Sequence, residues 1–137
     1  PEAAKQKDEY GRTPLHFACQ YKSSNEAQVE VVDVLLRTWP EAAKQKDEYG
    51  EIPLHCACFY GAPVEVVDAL LRAWPEAAKQ KHEYGRTPLH YAQHRRYGAP
   101  VEVVDVLLRA WPEAAKEKDE DGWTPLQIAG MYNALLD

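Results

Sequence analysis

Gly11-Arg12-Thr13-Pro14-Leu15-His16-Phe17-Ala18 is the stretch on which the fold turns, because the chain writes it again. It returns at Gly85-Arg86-Thr87-Pro88-Leu89-His90-Tyr91-Ala92 and, more loosely, at Gly122-Trp123-Thr124-Pro125-Leu126-Gln127-Ile128-Ala129. Pro-Leu-His also stands at Pro53. Two further blocks keep step with it. Upstream, PEAAKQKDEYG at Pro1 to Gly11 recurs unchanged at Pro40 to Gly50, with His82 in place of Asp at Pro75 to Gly85, and loosely at Pro112 to Gly122. The spacings are 39, 35 and 37 residues. Downstream, Val-Glu-Val-Val-Asp-x-Leu-Leu-Arg occupies Val29 to Arg37, Val64 to Arg72 and Val101 to Arg109, and has no copy after Pro125. A fixed period of a few tens of residues marks an array of one supersecondary unit. The units are 1–39, 40–74 and 75–111, followed by a truncated 112–137.

Each unit reads as two helices. Thr13-Pro14, Thr87-Pro88 and Thr124-Pro125 put a capping oxygen before a proline that gives up only an amide without a partner, which is a helix start. Leu15, Ala18 and Cys19, repeated as Leu54, Ala57 and Cys58, follow i, i+3, i+4 spacing along a short first helix. In the second helix, Val29, Val31, Val32, Val34, Leu35 and Leu36 cover most of the circumference, so only the Glu30, Asp33 and Arg37 stripe is expected to meet water. Asp33 to Arg37, Asp68 to Arg72 and Asp105 to Arg109 are i, i+4 pairs with the acid on the N-terminal side. Length differences between units collect in Tyr21 to Gln28, Tyr60 to Pro63 and Arg95 to Pro100, which are expected to be surface loops. Helix pairs this apolar need neighbours to cover them, and stacked copies sharing one core form a solenoid.

These blocks resemble the ankyrin-repeat signature G-x-T-P-L-H-x-A, followed by V-E-V-V-D-x-L-L in the place of that family's second helix. The likeness runs over essentially the whole chain. The period here is longer than the family's usual ~33 residues, and Trp-Pro-Glu-Ala-Ala-Lys-Gln-Lys stands where the family has Gly-Ala-Asp-Val-Asn. Pro40-Glu41-Ala42-Ala43-Lys44 reads as a helical first turn, with proline at its start and an acid near its positive end. The expected fold is therefore an all-α, ankyrin-type solenoid of stacked helix-turn-helix repeats, with short helical turns in place of long β-hairpin fingers. The Asp47-Glu48-Tyr49-Gly50 tip should still turn, since glycine takes positive φ. The resemblance also implies that His16, His55 and His90, at one repeat position, bond to the helix start and the neighbouring loop.

Composition narrows the function classes. Apolar residues make up 45% and charged residues 28% of 137, which supports a folded chain. A net charge of −6 disfavours nucleic acid as a partner. No apolar run approaches the ~18 residues of a membrane span. The opening Pro1-Glu2-Ala3-Ala4-Lys5 reads as the start of a fragment. Cys19, Cys56 and Cys58 are an odd set, expected as buried thiols in a reducing compartment, so an intracellular, cytoplasmic location follows. Cys56 and Cys58 point apart on a helix and do not suit a tetrahedral metal site. His82 and His94 have no nucleophile or repeated acid beside them, and no phosphate-cradling loop with its lysine is present. No enzyme, cofactor or metal is expected.

Trp39, Trp74 and Trp111, each before a proline, read as rings roofing the gap between units. Tyr10, Tyr49 and Tyr84 sit at turn tips with little to pack on, which makes them contact candidates. By the resemblance, partners also meet the positions flanking the tip glycines (Glu9, Arg12, Glu48, Glu51, Glu83, Arg86 and Trp123) and those late in the first helix (Gln20, Tyr21, Phe59, Tyr60, His94 and Arg95). The reading is a non-catalytic protein-protein interaction module using the concave face of turn tips and first helices. The competing reading is a structural or self-associating segment stacking into homo-oligomers through uncapped ends. The near-identity of the copies fits a consensus design as well as a natural fragment.

Overall fold

Prolines open each first helix and follow each second helix, and the chain folds accordingly. The structure is a computed structural model describing residues 2–21, 24–94 and 99–136, with side chains as far as residue 130. Its helices are α1 (Pro14–Gln20), α2 (Asn25–Thr38), α3 (Pro53–Phe59), α4 (Val64–Ala73), α5 (Pro88–Ala92), α6 (Val101–Ala110) and α7 (Pro125–Leu136). Short 3-10 turns lie at Glu2–Lys5, Pro40–Lys44, Pro75–Lys79 and Pro112–Lys116. Among the described residues there is no strand, so helical turns and tight loops stand where a hairpin finger would.

The first helices stack in the order α1, α3, α5, α7, and the second helices in the order α2, α4, α6. One continuous core runs between the rows, filled by Leu15, Leu54 and Leu89 from the first helices and Val32, Val66, Val67, Leu70 and Leu107 from the second. Burying each such side chain contributes about 1.5–3 kcal/mol, and most of it is gained between units. Each second helix ends at a tryptophan, because the residue before a proline is pushed out of the helical region. Trp39 and Trp74 sit at φ −146° and −151° with ψ near 90°, and the next five residues close a 3-10 turn. The paired alanines Ala42-Ala43 and Ala77-Ala78 let these turns tuck against the helices with no side chain to displace. All three tryptophans pack against the core while keeping one edge in water.

Two expectations are corrected. The Tyr21 to Gln28 stretch is not all loop: Ser24 accepts the amide of Ala27 and starts α2 at Asn25, so the insertion lengthens the helix by a turn. Nor is α2 wet on one narrow stripe only. Val31 and Val34 are 49% and 50% exposed, whereas their counterparts Val66 and Ala69 in α4 are covered by α2. Of the three acid-arginine pairs, Asp68–Arg72 (3.1 Å) and Asp105–Arg109 (2.7 Å) form, while Arg37 turns its Nε to the backbone carbonyl of Asp33.

Buried imidazoles link successive units. Nδ1 of His16 accepts the amide of Thr13 at the start of its own helix, which leaves Nε2–H to donate to the carbonyl of Glu51 in the next unit at 2.9 Å. His55 repeats this with Ile52 on one side and the carbonyls of Gln80 and Arg86 on the other. His90 does so with Thr87 and Trp123. Gln127 supplies only the local half, its Oε1 accepting the Thr124 amide at 2.8 Å. Burial, and then the neighbouring His82 ring, push the His55 imidazole down to about 3.

A base held neutral in the fold stabilises it fully above its unfolded pKa of about 6.5 and less as pH falls toward the folded value. His55→Gln, which copies the residue found at Gln127, should cost about 1–2 kcal/mol at neutral pH through the lost inter-unit bond. In urea titrations from pH 7 to pH 5 the parent chain should lose about 2 kcal/mol that the variant does not. Parallel stability curves for the two proteins would refute this account of His55.

Candidate functional site

The turn tips form one edge of the stack. Within each, an aspartate oxygen gathers two backbone amides: Asp8 takes those of Tyr10 and Arg12, Asp47 those of Tyr49 and Glu51, and Asp119 those of Asp121 and Trp123, all at 2.8–3.0 Å. In the third tip His82 stands in, its Nδ1 accepting the Arg86 amide at 3.1 Å. The tips are tied to each other by main-chain bonds from Glu48 to Tyr10, Glu83 to Tyr49 and Glu120 to Tyr84, at 2.8–2.9 Å. This edge is a continuous, pre-ordered surface. Tyr10, Tyr49 and Tyr84 project from it 41%, 45% and 54% exposed.

Seven of the expected contact residues come together. Arg12, Gln20, Tyr49, Glu51, Phe59, Tyr60 and Arg86 line one recess of about 230 Å³, together with Asp47, Cys56 and Tyr91. Arg12 pairs with Asp8 at 3.1 Å and lies over the rings of Tyr10 and Phe17. Arg86, with His82 rather than an aspartate in its own tip, reaches Asp119 of the next unit at 3.3 Å. Burial would raise the Asp8 and Asp119 carboxyls, yet the amides and arginines bonded to them hold both below the ordinary range. Glu51 goes the other way. Burial raises its carboxyl, the hydroxyl of Tyr91, donating at 2.6 Å, counteracts this only in part, and Asp47 beside it raises it further.

The remaining candidates are spread out. Glu9, Glu48 and Glu83 lie exposed on the tips, and Trp123 borders the last one. His94 packs against Phe59 with ring centroids 4.7 Å apart. Tyr21 stands apart, beside an apolar hollow formed with Pro14, Phe17, Ala18, Val31 and Leu35 at the first unit's outer face. Arg95 lies outside the described residues.

Sequence reasoning missed Asp47, Cys56 and Tyr91 as lining. The available signal was variation: the position after Pro-Leu-His is Phe17, Cys56, Tyr91 and Ile128 in turn, although its neighbours hardly change. Burial pushes the Cys56 thiol up to about 12, which favours its protonated form at neutral pH. Among the described residues, no group of three or more His, Cys, Asp or Glu is placed to hold a metal ion. Among them too, no helix is long and apolar enough to cross a membrane.

A family model described as Ankyrin repeats (3 copies) matches residues 2–73 and 23–112. A comparison with curated proteins gave no match.

The tip glycines separate a conformational requirement from a packing one. Gly50 has φ +79°, and a Cβ there would lie 3.2 Å from the amide nitrogen of Glu83 in the next tip. Gly122 has φ +83° with nothing within 4 Å. Gly122→Ala should cost about 1 kcal/mol for the left-handed backbone alone, and Gly50→Ala about 2 kcal/mol or more. Chemical denaturation of the two variants checks the order, and equal losses would remove the role given to tip-to-tip contact.

Proposed function

We propose, because the chain belongs to the ankyrin-repeat family, that it binds a protein partner without turnover, through the concave face made by turn tips and first helices. Ankyrin repeats are generally protein-protein interaction modules, and the family is generally non-enzymatic. On this reading units 1–39, 40–74, 75–111 and 112–137 are the modules, each contributing one tip to the contact. Such proteins are commonly intracellular, and we place this one there.

One observation carries the proposal. Side chains from successive tips and first helices, far apart in sequence, converge on one recess in an edge that hydrogen bonds already hold rigid. A surface ordered before contact loses little entropy on binding, and exposed aromatics with arginines are the side chains that supply most interface energy. The rest of the molecule offers less of this: the opposite flank of second helices presents arginines paired with their own aspartates.

Affinity capture from lysate, followed by mass spectrometry, should recover a partner with the parent chain. Recovery should fall at least about tenfold when Tyr10→Ala, Tyr49→Ala and Tyr84→Ala are combined. Arg72→Ala with Arg109→Ala should leave it unchanged. The reverse pattern would move the binding face to the second helices.

A second reading, self-association, is favoured by the outer face of the first unit. There Val31, Val34 and Leu35 adjoin the apolar hollow over Pro14 and Phe17, whereas the same positions are sealed inside the stack. Light scattering across a concentration series should then give a mass rising above 15.6 kDa, and Val31→Glu with Val34→Lys should hold it constant. A monomer at every concentration ends this reading.

A further inference from the structure

Position 51 breaks the pattern of its own array. The residue after the tip glycine is Arg12, Arg86 or Trp123 in the other units, and in the second it is a glutamate, a reversal of charge directly after a tip, residues 40–50, that copies 1–11 unchanged. Its main chain is held like the others, with the amide bonded to Asp47 and the carbonyl to Asp47 and His16. The change therefore alters the surface and not the turn.

Among the described residues no cation is bonded to this carboxylate; Arg12, in the same recess, acts on it only through space and less than burial and Asp47 do. The flanking arginines are engaged elsewhere, Arg12 with Asp8 at 3.1 Å and Arg86 with Asp119 at 3.3 Å. Among the described residues no lysine or arginine forms an ion pair with Glu51, and its hydrogen-bond donor is the neutral hydroxyl of Tyr91. Rings share the recess with it: Phe59 and Tyr60 meet edge to face at 4.9 Å, and Tyr49 borders the same space. Ring faces attract cations, and more strongly where water is partly excluded. A volume of about 230 Å³ holds one long side chain, whereas a helix, about 10–12 Å across, would not enter.

On the reading that this edge binds protein, we infer that the recess receives a cationic side chain of the partner, arginine or lysine, with Glu51 as its counter-ion and the Tyr49, Phe59 and Tyr60 rings as its walls. A partner carboxylate would meet arginines already partly neutralised by Asp8 and Asp119, and would face Glu51 and Asp47 in the same recess.

The test is an NMR titration of the ¹⁵N-labelled 137-residue chain with N-acetyl-arginine amide, beside its neutral citrulline and anionic glutamate counterparts. The arginine probe should give saturable shifts at the amides of Tyr49, Glu51, Phe59 and Tyr60, binding at least about tenfold more tightly than citrulline. Glu51→Arg, which installs the residue that the first and third units carry in the same backbone, should abolish them with the rest of the spectrum preserved. Equal binding of citrulline, preference for glutamate, persistence of the shifts in Glu51→Arg, or no saturable response to any probe would overturn the cationic recess. Partner capture lost in the tyrosine variant and kept in Glu51→Arg would also overturn it, yet leave the edge as the binding face; capture kept in both would remove the edge itself.

Discussion

A neutral imidazole, sealed from water between two units, is the contact on which the stack depends. Nδ1 closes the start of one first helix and Nε2–H reaches the carbonyl that ends the next tip. A side chain with two ring nitrogens on opposite edges does both at once, which a carboxamide at the same position does not. Gln127, at the same position in the last unit described, accepts the amide of Thr124 and so satisfies its helix start. Apolar burial supplies most of the energy, but it is indifferent to sliding. The imidazole bonds its own helix start at one end and carbonyls of the next unit at the other, so it sets how far each unit is shifted relative to the last.

That registration reaches the tips. The carbonyl taken by each imidazole belongs to the residue just past a tip glycine, or near it, so the buried stack and the exposed edge are fixed by the same bond. Aspartate oxygens then close each tip from within, and amide-to-carbonyl bonds join it to its neighbour. Gly11, Gly50 and Gly85 serve both purposes, with a left-handed backbone and a face on which the next tip rests. Order at this edge is thus a consequence of packing several ångströms below it.

Repetition made the helices legible. Three copies of Pro-Leu-His and of the valine-rich block place most of α1 to α6 to within a residue or two, and proline after tryptophan places the ends of the second helices. What stayed hidden depended on neighbours. Val31 and Val66 are the same letter in the same block, yet one is half exposed and the other is sealed, because α2 packs against α4 on that side. The extra turn of α2 rests on Ser24, in an insertion that no other unit shares and that repetition therefore could not interpret. At the candidate site the tips and their tyrosines were readable, whereas Tyr91 and Asp47 were not. Their place in the recess comes from the offset between stacked units, which is a property of the assembled array and not of any single copy.

The same offset explains why chemistry can change at one position while the fold does not. At residues 12, 51, 86 and 123 the amide and carbonyl are both bonded by the tip or the neighbouring imidazole, whichever side chain is present. The side chain takes no part in closing the tip backbone, and it is arginine, glutamate, arginine and tryptophan in turn, Arg12 pairing with Asp8, Glu51 accepting from Tyr91 and Arg86 reaching Asp119. The position after Pro-Leu-His varies too, with mixed surroundings: Cys56 and Tyr91 line the recess from within the core, Phe17 borders the outer hollow, and Ile128 is buried. Side chains just past the tip glycine can be exchanged without undoing the tip, since its backbone bonds do not depend on them. Specificity can therefore be written onto the edge one unit at a time, and a departure from the repeat is informative where the backbone around it has stayed the same. Glu51 is such a departure, and His82, which releases Arg86 to the next unit's aspartate, is another.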